Sequence, residues 1–114
     1  MVWDVVVTPD AEVELLKLPS RERRAVDTAL VKLREIGPQL GFPHTSAVVG
    51  ADRLREIRPR QGRCPWRAFY RQVGSVLVIA AVGPEAQVDH REFQRAVAAA
   101  EVRLAEIEDE EESP

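Results

Sequence analysis

The sequence predicts an α+β domain: an N-terminal strand and a helical hairpin, then an antiparallel sheet and a C-terminal helix. Three observations carry this reading. Apolar residues recur at helical spacing in two early segments separated by Pro19, three short β-branched or aromatic runs follow between residues 54 and 82, and a last helical pattern opens near Asp89. The helices are expected on one face of the sheet, which leaves the other face free for polar side chains.

Residues 3–7 (WDVVV) are short and β-branched and read as a strand that Thr8-Pro9 ends. Thr8 or Asp10 caps the helix that follows, with Val13, Leu15, Leu16 and Leu18 on its apolar side and Pro19 stopping it. Ser20 is expected to cap a second helix, whose Val26, Leu30, Leu33 and Ile36 face the core before Gly37-Pro38 closes it. Residues 37–52 hold three glycines and two prolines with little periodicity, and read as a loop. Strands are predicted over residues 54–59, 66–73 and 76–82, the last two joined by Gly74-Ser75. The run VLVIAAV is apolar on both faces, as in a central strand covered on both sides. In the final helix Phe93, Val97, Ala100, Leu104 and Ile107 form the buried stripe, opposite Arg91, Gln94, Arg95 and Arg103.

A chain of 114 residues supports one core and not two. Apolar runs fall short of the roughly 18–20 residues that cross a bilayer, and MVWDVVVTPD lacks the basic start of a signal peptide, so a cytoplasmic protein without membrane contact is expected. With Cys64 as the lone cysteine there is neither an internal disulfide nor a thiolate cluster for zinc, and no cofactor or metal is expected. The net charge of −3 hides an asymmetry: Glu106, Glu108, Asp109, Glu110, Glu111 and Glu112 crowd the last nine residues. Without those six, 16 bases face 13 acids. Residues 1–107 are therefore read as the domain and residues 108–114 as an acidic, disordered tail.

The positive charge is concentrated as well. Residues 53–71 (RLREIRPRQGRCPWRAFYR) hold seven arginines and one acid. Guanidinium forks bind two oxygens each and stay charged, so such a row suits phosphate. Strand alternation puts Glu56 and Arg58 on one face, and likewise Arg67, Phe69 and Arg71; Arg55 points the other way, and Arg60 and Arg63 fall in the turn. On the arginine face Phe69 is placed to stack on a base, while Trp66 and Tyr70 pack into the core. His44 reads as a loop residue and Cys64 as a bystander.

Leu54-Arg55-Glu56-Ile57-Arg58, then Trp66-Arg67-Ala68-Phe69-Tyr70, then an apolar strand ending at Gly83 and a last helix, resemble the RelE/HigB toxin superfamily, most of all its HigB-like, phage-derived branch. The resemblance implies a RelE-like fold and the toxin of a type II toxin–antitoxin system, a ribosome-associated mRNA endonuclease that works without metal. Its implied partners are a cognate antitoxin, of helix-turn-helix, HigA-like type, and the ribosome with its mRNA. It implies catalytic roles for Arg67, Arg58 and Glu56, with His90 as the proton-transfer group, and RNA contacts by Arg55, Arg60, Arg63, Phe69, Arg71 and Arg91. The chain departs from the family pattern in carrying Pro84-Glu85 after the strand-ending glycine, where many members have a base, and Phe93 where some have a tyrosine. Those departures keep two alternatives open: a ParE-like inhibitor of DNA gyrase, and an inactive antitoxin-binding module.

Overall fold

Thr8 ends the first strand and opens the first helix. Its Oγ1 accepts from the Ala11 N–H at 3.2 Å, and Pro9 occupies the first helical turn, where its missing N–H costs nothing. The computed structural model describes residues 2–112. In chain order it contains β1 (Asp4–Val7), α1 (Pro9–Leu16), α2 (Ser20–Ile36), β2 (Thr45–Ala47), β3 (Arg55–Ile57), β4 (Trp66–Val73), β5 (Val76–Pro84) and α3 (His90–Glu112). Pro19, and not Ser20, holds the capping position of α2, and no side chain caps that helix. The segment expected as a loop contains the short edge strand β2, and β3 is three residues long against the six expected.

The five strands lie in the order β1-β5-β4-β3-β2, with β1 parallel to β5 and the other pairs antiparallel. A register shift between Phe69 and Tyr70 leaves Ala80 as an extra residue in β5. It switches which side chains face which way: Leu77, Ile79 and Val82 join one core, Val78, Ala80 and Ala81 the other. The first core lies under α1 and α2 and includes Leu15, Val26, Leu30, Leu33 and Tyr70. The second lies under α3 and includes Phe69, Val97, Ala100 and Leu104.

The helices therefore cover both faces of the sheet, not one. Gly83 allows this on the α3 side, because a Cβ there would come within 2.6 Å of the Ala96 methyl. The expected open face with its arginine row is roofed by α3. That helix also runs on through Glu112, so residues 108–112, expected as part of a disordered tail, are helical. Beyond Ile79, β5 has no strand on its β1 side among the described residues. Glu14 and Arg103 cover the gap: Val82 N–H donates to Glu14 Oε1 at 3.0 Å, and Arg103 Nη1 donates to the Ala80 carbonyl at 2.8 Å.

Candidate nucleic-acid interface

On α2, Arg21, Arg24, Thr28 and Lys32 follow one another at three- and four-residue spacing, so they share a face. Opposite that face lies the turn Pro59–Gly62, and between them runs a cleft of about 650 Å³. Its walls carry Arg21, Arg24, Lys32, Arg58, Arg60 and Arg63, together with His44 and Gln61, and no carboxylate among the described residues. Two wall residues are held in the left-handed backbone region, Arg60 at φ 54° and Gln61 at φ 57°. That conformation costs a side-chain-bearing residue about 1–2 kcal/mol, and strain of this kind collects at functional sites.

Arg58 is the best-seated cation of the cleft. Its guanidinium lies 4.7 Å from the centre of the Phe42 ring, and Phe42 is 75% exposed. Gly62 gives it room, since a Cβ there would approach Arg58 Nη2 to 2.5 Å. Its backbone N–H donates to the His44 carbonyl at 2.8 Å, which fixes His44 beside the same wall. Glu22 stands 4.0 Å from Arg60 at the margin of the cleft and accepts the Cys64 thiol proton at 3.1 Å. Burial pushes that thiol up to about 11, so Cys64 stays protonated and inert at neutral pH.

Arg67 lies behind this wall and does not reach solvent. Its side chain is 4% exposed, with Nη1 donating to the Cys64 carbonyl at 2.7 Å and Nη2 to Glu85 Oε2 at 2.7 Å. Glu56 stands 3.7 Å from its Nε and also accepts from Ser46 Oγ at 3.1 Å. Burial lowers the Arg67 pKa from the ordinary arginine range; Glu56 and Glu85 oppose this, while Arg58 reinforces it. Burial and occupied donors revise the expected direct phosphate contact. Arg67 instead ties β3, β4 and the start of the β5–α3 loop together behind Arg58.

Other expected contacts are also redistributed. Phe69 is fully buried and meets Phe93 edge-on at 5.4 Å. Bringing it out to stack on a base would forfeit about 1.5–3 kcal/mol of burial, as much as a stack returns. Arg71 is 7% exposed and held by Glu108 and the Asp52 carbonyl, so it offers RNA nothing here. Arg55 lines a second cavity, and Arg91 and His90 are exposed on the first turn of α3, outside the cleft lining. Of the expected site residues, the cleft brings together Arg58, Arg60 and Arg63. It adds Arg21, Arg24, Lys32 and His44, with Phe42 beneath Arg58. The polar stripe of α2 is visible in the sequence at helical spacing; the placement of His44 and Phe42 is not, because it depends on β2 forming. Among the described residues no three His, Cys, Asp or Glu side chains are grouped to hold a metal ion, and no helix is long and apolar enough to cross a membrane.

A five-stranded mixed sheet with a helical pair on one face and a long C-terminal helix on the other is the fold of the RelE toxins. The free RelE toxin of E. coli, solved as a double mutant, superposes with a TM-score of 0.62 at 21% identity, over 86% of this chain and 97% of that one. The toxin–antitoxin complex RelBE2 of Mycobacterium tuberculosis gives 0.58 at 21% identity, over 75% of this chain and 100% of the other. The archaeal RelE–RelB complex of Pyrococcus horikoshii gives 0.52 at 22%, over 74% and 96%. No curated protein matches in sequence. Residues 13–83 match the family described as phage derived protein Gp49-like, and the chain belongs to that family.

Proposed function

We propose that the protein is the toxin of a toxin–antitoxin pair, a metal-independent endonuclease that binds ribosome-associated mRNA in the cytoplasm along the cleft between α2 and the Pro59–Gly62 turn. One observation carries this: six cationic side chains and no carboxylate line the cleft, and Arg58 lies over an exposed Phe42. Cations at this density attract the phosphate backbone, and an exposed aromatic ring gives a base a surface to stack on. The RelE-like fold supports the toxin reading, and the RelB complexes among the similar structures support an antitoxin partner.

In this reading the 2′-oxygen of one nucleotide attacks the adjacent phosphorus and the P–O5′ bond breaks, leaving a 2′,3′-cyclic phosphate and a 5′-hydroxyl. One proton leaves the 2′-oxygen and one reaches the 5′-oxygen. Arg58 stabilises the charge of the phosphorane, and Arg60 and Arg63 hold the flanking phosphates. His44 is the histidine that lines the cleft, so proton transfer falls to it in preference to His90. Glu56, Glu85 and Arg67 keep the wall behind Arg58 rigid. A second reading, an antitoxin-binding module that does not cleave, is favoured by one fact: Glu85 closes over Arg67 where a solvent-facing base would serve catalysis.

Expression with and without a candidate antitoxin, followed by mapping of mRNA 5′ ends, tests the proposal. New 5′ ends that disappear with Arg58→Ala support cleavage. Growth arrest without new ends, or new ends that survive Arg58→Ala, overturns it.

A further inference from the structure

The α2 cleft gathers its positive charge round one compact space. Its volume of about 650 Å³ lies within the roughly 300–1,000 Å³ of sites that enclose a single small ligand. Six cationic side chains face that space. Among the described residues Glu22 is the carboxylate that comes near them, 4.0 Å from Arg60 at the margin, and it is engaged with the Cys64 thiol. An RNA strand carries one negative charge per nucleotide and spreads them along its length. A 5′-triphosphate gathers about four on one nucleotide, because its terminal phosphate alone contributes about two at pH 7. The second is the closer match to cations set round one small volume.

The remaining lining suits a nucleoside. Arg58 and the exposed Phe42 ring, 4.7 Å apart, form a flat pair on which a base can lie. Ala25, Ala29 and Leu40 add an apolar floor, and the exposed Gln61 brings an amide that both donates and accepts, as a base edge requires. Arg60 and Gln61 reach the cleft from left-handed backbone, a conformation glycine would hold without strain, so the side chains there are retained at a cost. Magnesium travels with most triphosphates and takes carboxylate ligands from the protein; the cleft lining supplies guanidinium groups in their place.

We propose that the cleft binds a nucleoside 5′-triphosphate free of magnesium, with a purine base on the Arg58–Phe42 pair and the phosphates among the arginines of the turn and of α2. The same group occurs on a free nucleotide and on the 5′ end of a newly made transcript, and the chemistry of the cleft serves both. A free nucleotide held there excludes an mRNA strand from the cleft, which makes the nucleotide pool a regulator of RNA binding. The inference uses the same cleft as the proposed mRNA path but requires neither RNA binding nor cleavage.

The test is calorimetric titration of the purified protein, in the presence of EDTA, with ATP, AMP and inorganic triphosphate. AMP is expected to bind at least about tenfold more weakly than ATP, for want of charged hydrogen bonds, and inorganic triphosphate about tenfold more weakly, for want of a stacked base. Phe42→Ala, at an exposed ring, should bring ATP down to the level of inorganic triphosphate and leave triphosphate itself unchanged. An Arg60→Gln, Arg63→Gln double variant should weaken both ligands, Arg53→Gln outside the cleft neither, and excess magnesium should weaken ATP. A short RNA that binds more tightly with a 5′-triphosphate than with a 5′-hydroxyl identifies the transcript end as a ligand; no such gain leaves the free nucleotide. AMP binding as tightly as ATP, ATP binding that survives the double arginine variant or Phe42→Ala, or binding that requires magnesium would each overturn the proposal. Binding of the 5′-hydroxyl RNA without ATP binding overturns it and leaves the mRNA reading standing; ATP binding without RNA binding does the reverse.

Discussion

Arg71 and Glu108, thirty-seven residues apart, meet at 2.7 Å and fasten the far end of α3 to the middle of the sheet. Arg53 shares the same carboxylate, and its bond is the chief reason why the Glu108 pKa lies below its ordinary 4.5, with Arg71 next. A carboxyl with a lowered folded pKa contributes stability that is complete above its unfolded value and is lost as pH falls through the folded one. Glu108→Gln should therefore cost about 1–2 kcal/mol at pH 7, between the values for an exposed ion pair and a buried charged hydrogen bond, because Glu108 is partly exposed. Urea unfolding at pH 7 and pH 3 should show that difference narrowing in acid. A difference independent of pH would mean that the ion pair does not hold the helix.

Gly37 ends α2 at φ 81°, and a Cβ there would run into the Trp3 indole. Gly37→Ala is expected to cost about 2–4 kcal/mol, from left-handed strain plus overpacking. Thermal unfolding followed by tryptophan fluorescence measures it, and a loss below about 0.5 kcal/mol, the range of neutral surface changes, would be incompatible with the Trp3 contact.

Two phenylalanines, Phe69 and Phe42, separate cleanly by exposure. Phe69→Ala should destabilise by about 3–5 kcal/mol, as for a fully buried ring. Phe42→Ala, on an exposed ring, should change stability by less than about 0.5 kcal/mol yet weaken RNA binding by about 1–3 kcal/mol. Denaturant midpoints and RNA affinities of the two variants decide it.

The elements were legible where local chemistry fixes them. Thr8-Pro9 opens α1, Pro19 parts the two helices, Gly37 closes α2, and VLVIAAV is a strand buried on both faces because α1 and α2 lie on one side and α3 on the other. The site was less legible, because strand alternation tells which side chains share a face but not what covers that face. Arg67, Phe69 and Arg71 do share one; α3, Glu85 and Glu108 roof it. β2 escaped notice because three residues among glycines and prolines carry no period, and with it went the placement of His44. The acidic run read as a solvated tail because its partner arginines lie far away in sequence.

His44 and His90 offer a further contrast. His44→Gln is expected to lower single-turnover cleavage by about 10²-fold or more with RNA affinity little changed, as loss of a general acid or base does. His90→Gln should leave the rate within a few-fold. The reverse pattern would move the reacting phosphate to the start of α3.

The most direct measurement is the salt dependence of single-stranded RNA binding by the purified protein and by an Arg24→Gln, Arg58→Gln double variant. Binding through the cleft predicts a slope of log K against log salt of about −2 to −4 for three to five phosphate contacts, shallower by about 1.4 in the double variant. Arg53→Gln, outside the cleft, should leave the slope as it is. An unchanged slope in the double variant, or a change of that size in Arg53→Gln, would contradict the cleft as the RNA-binding site.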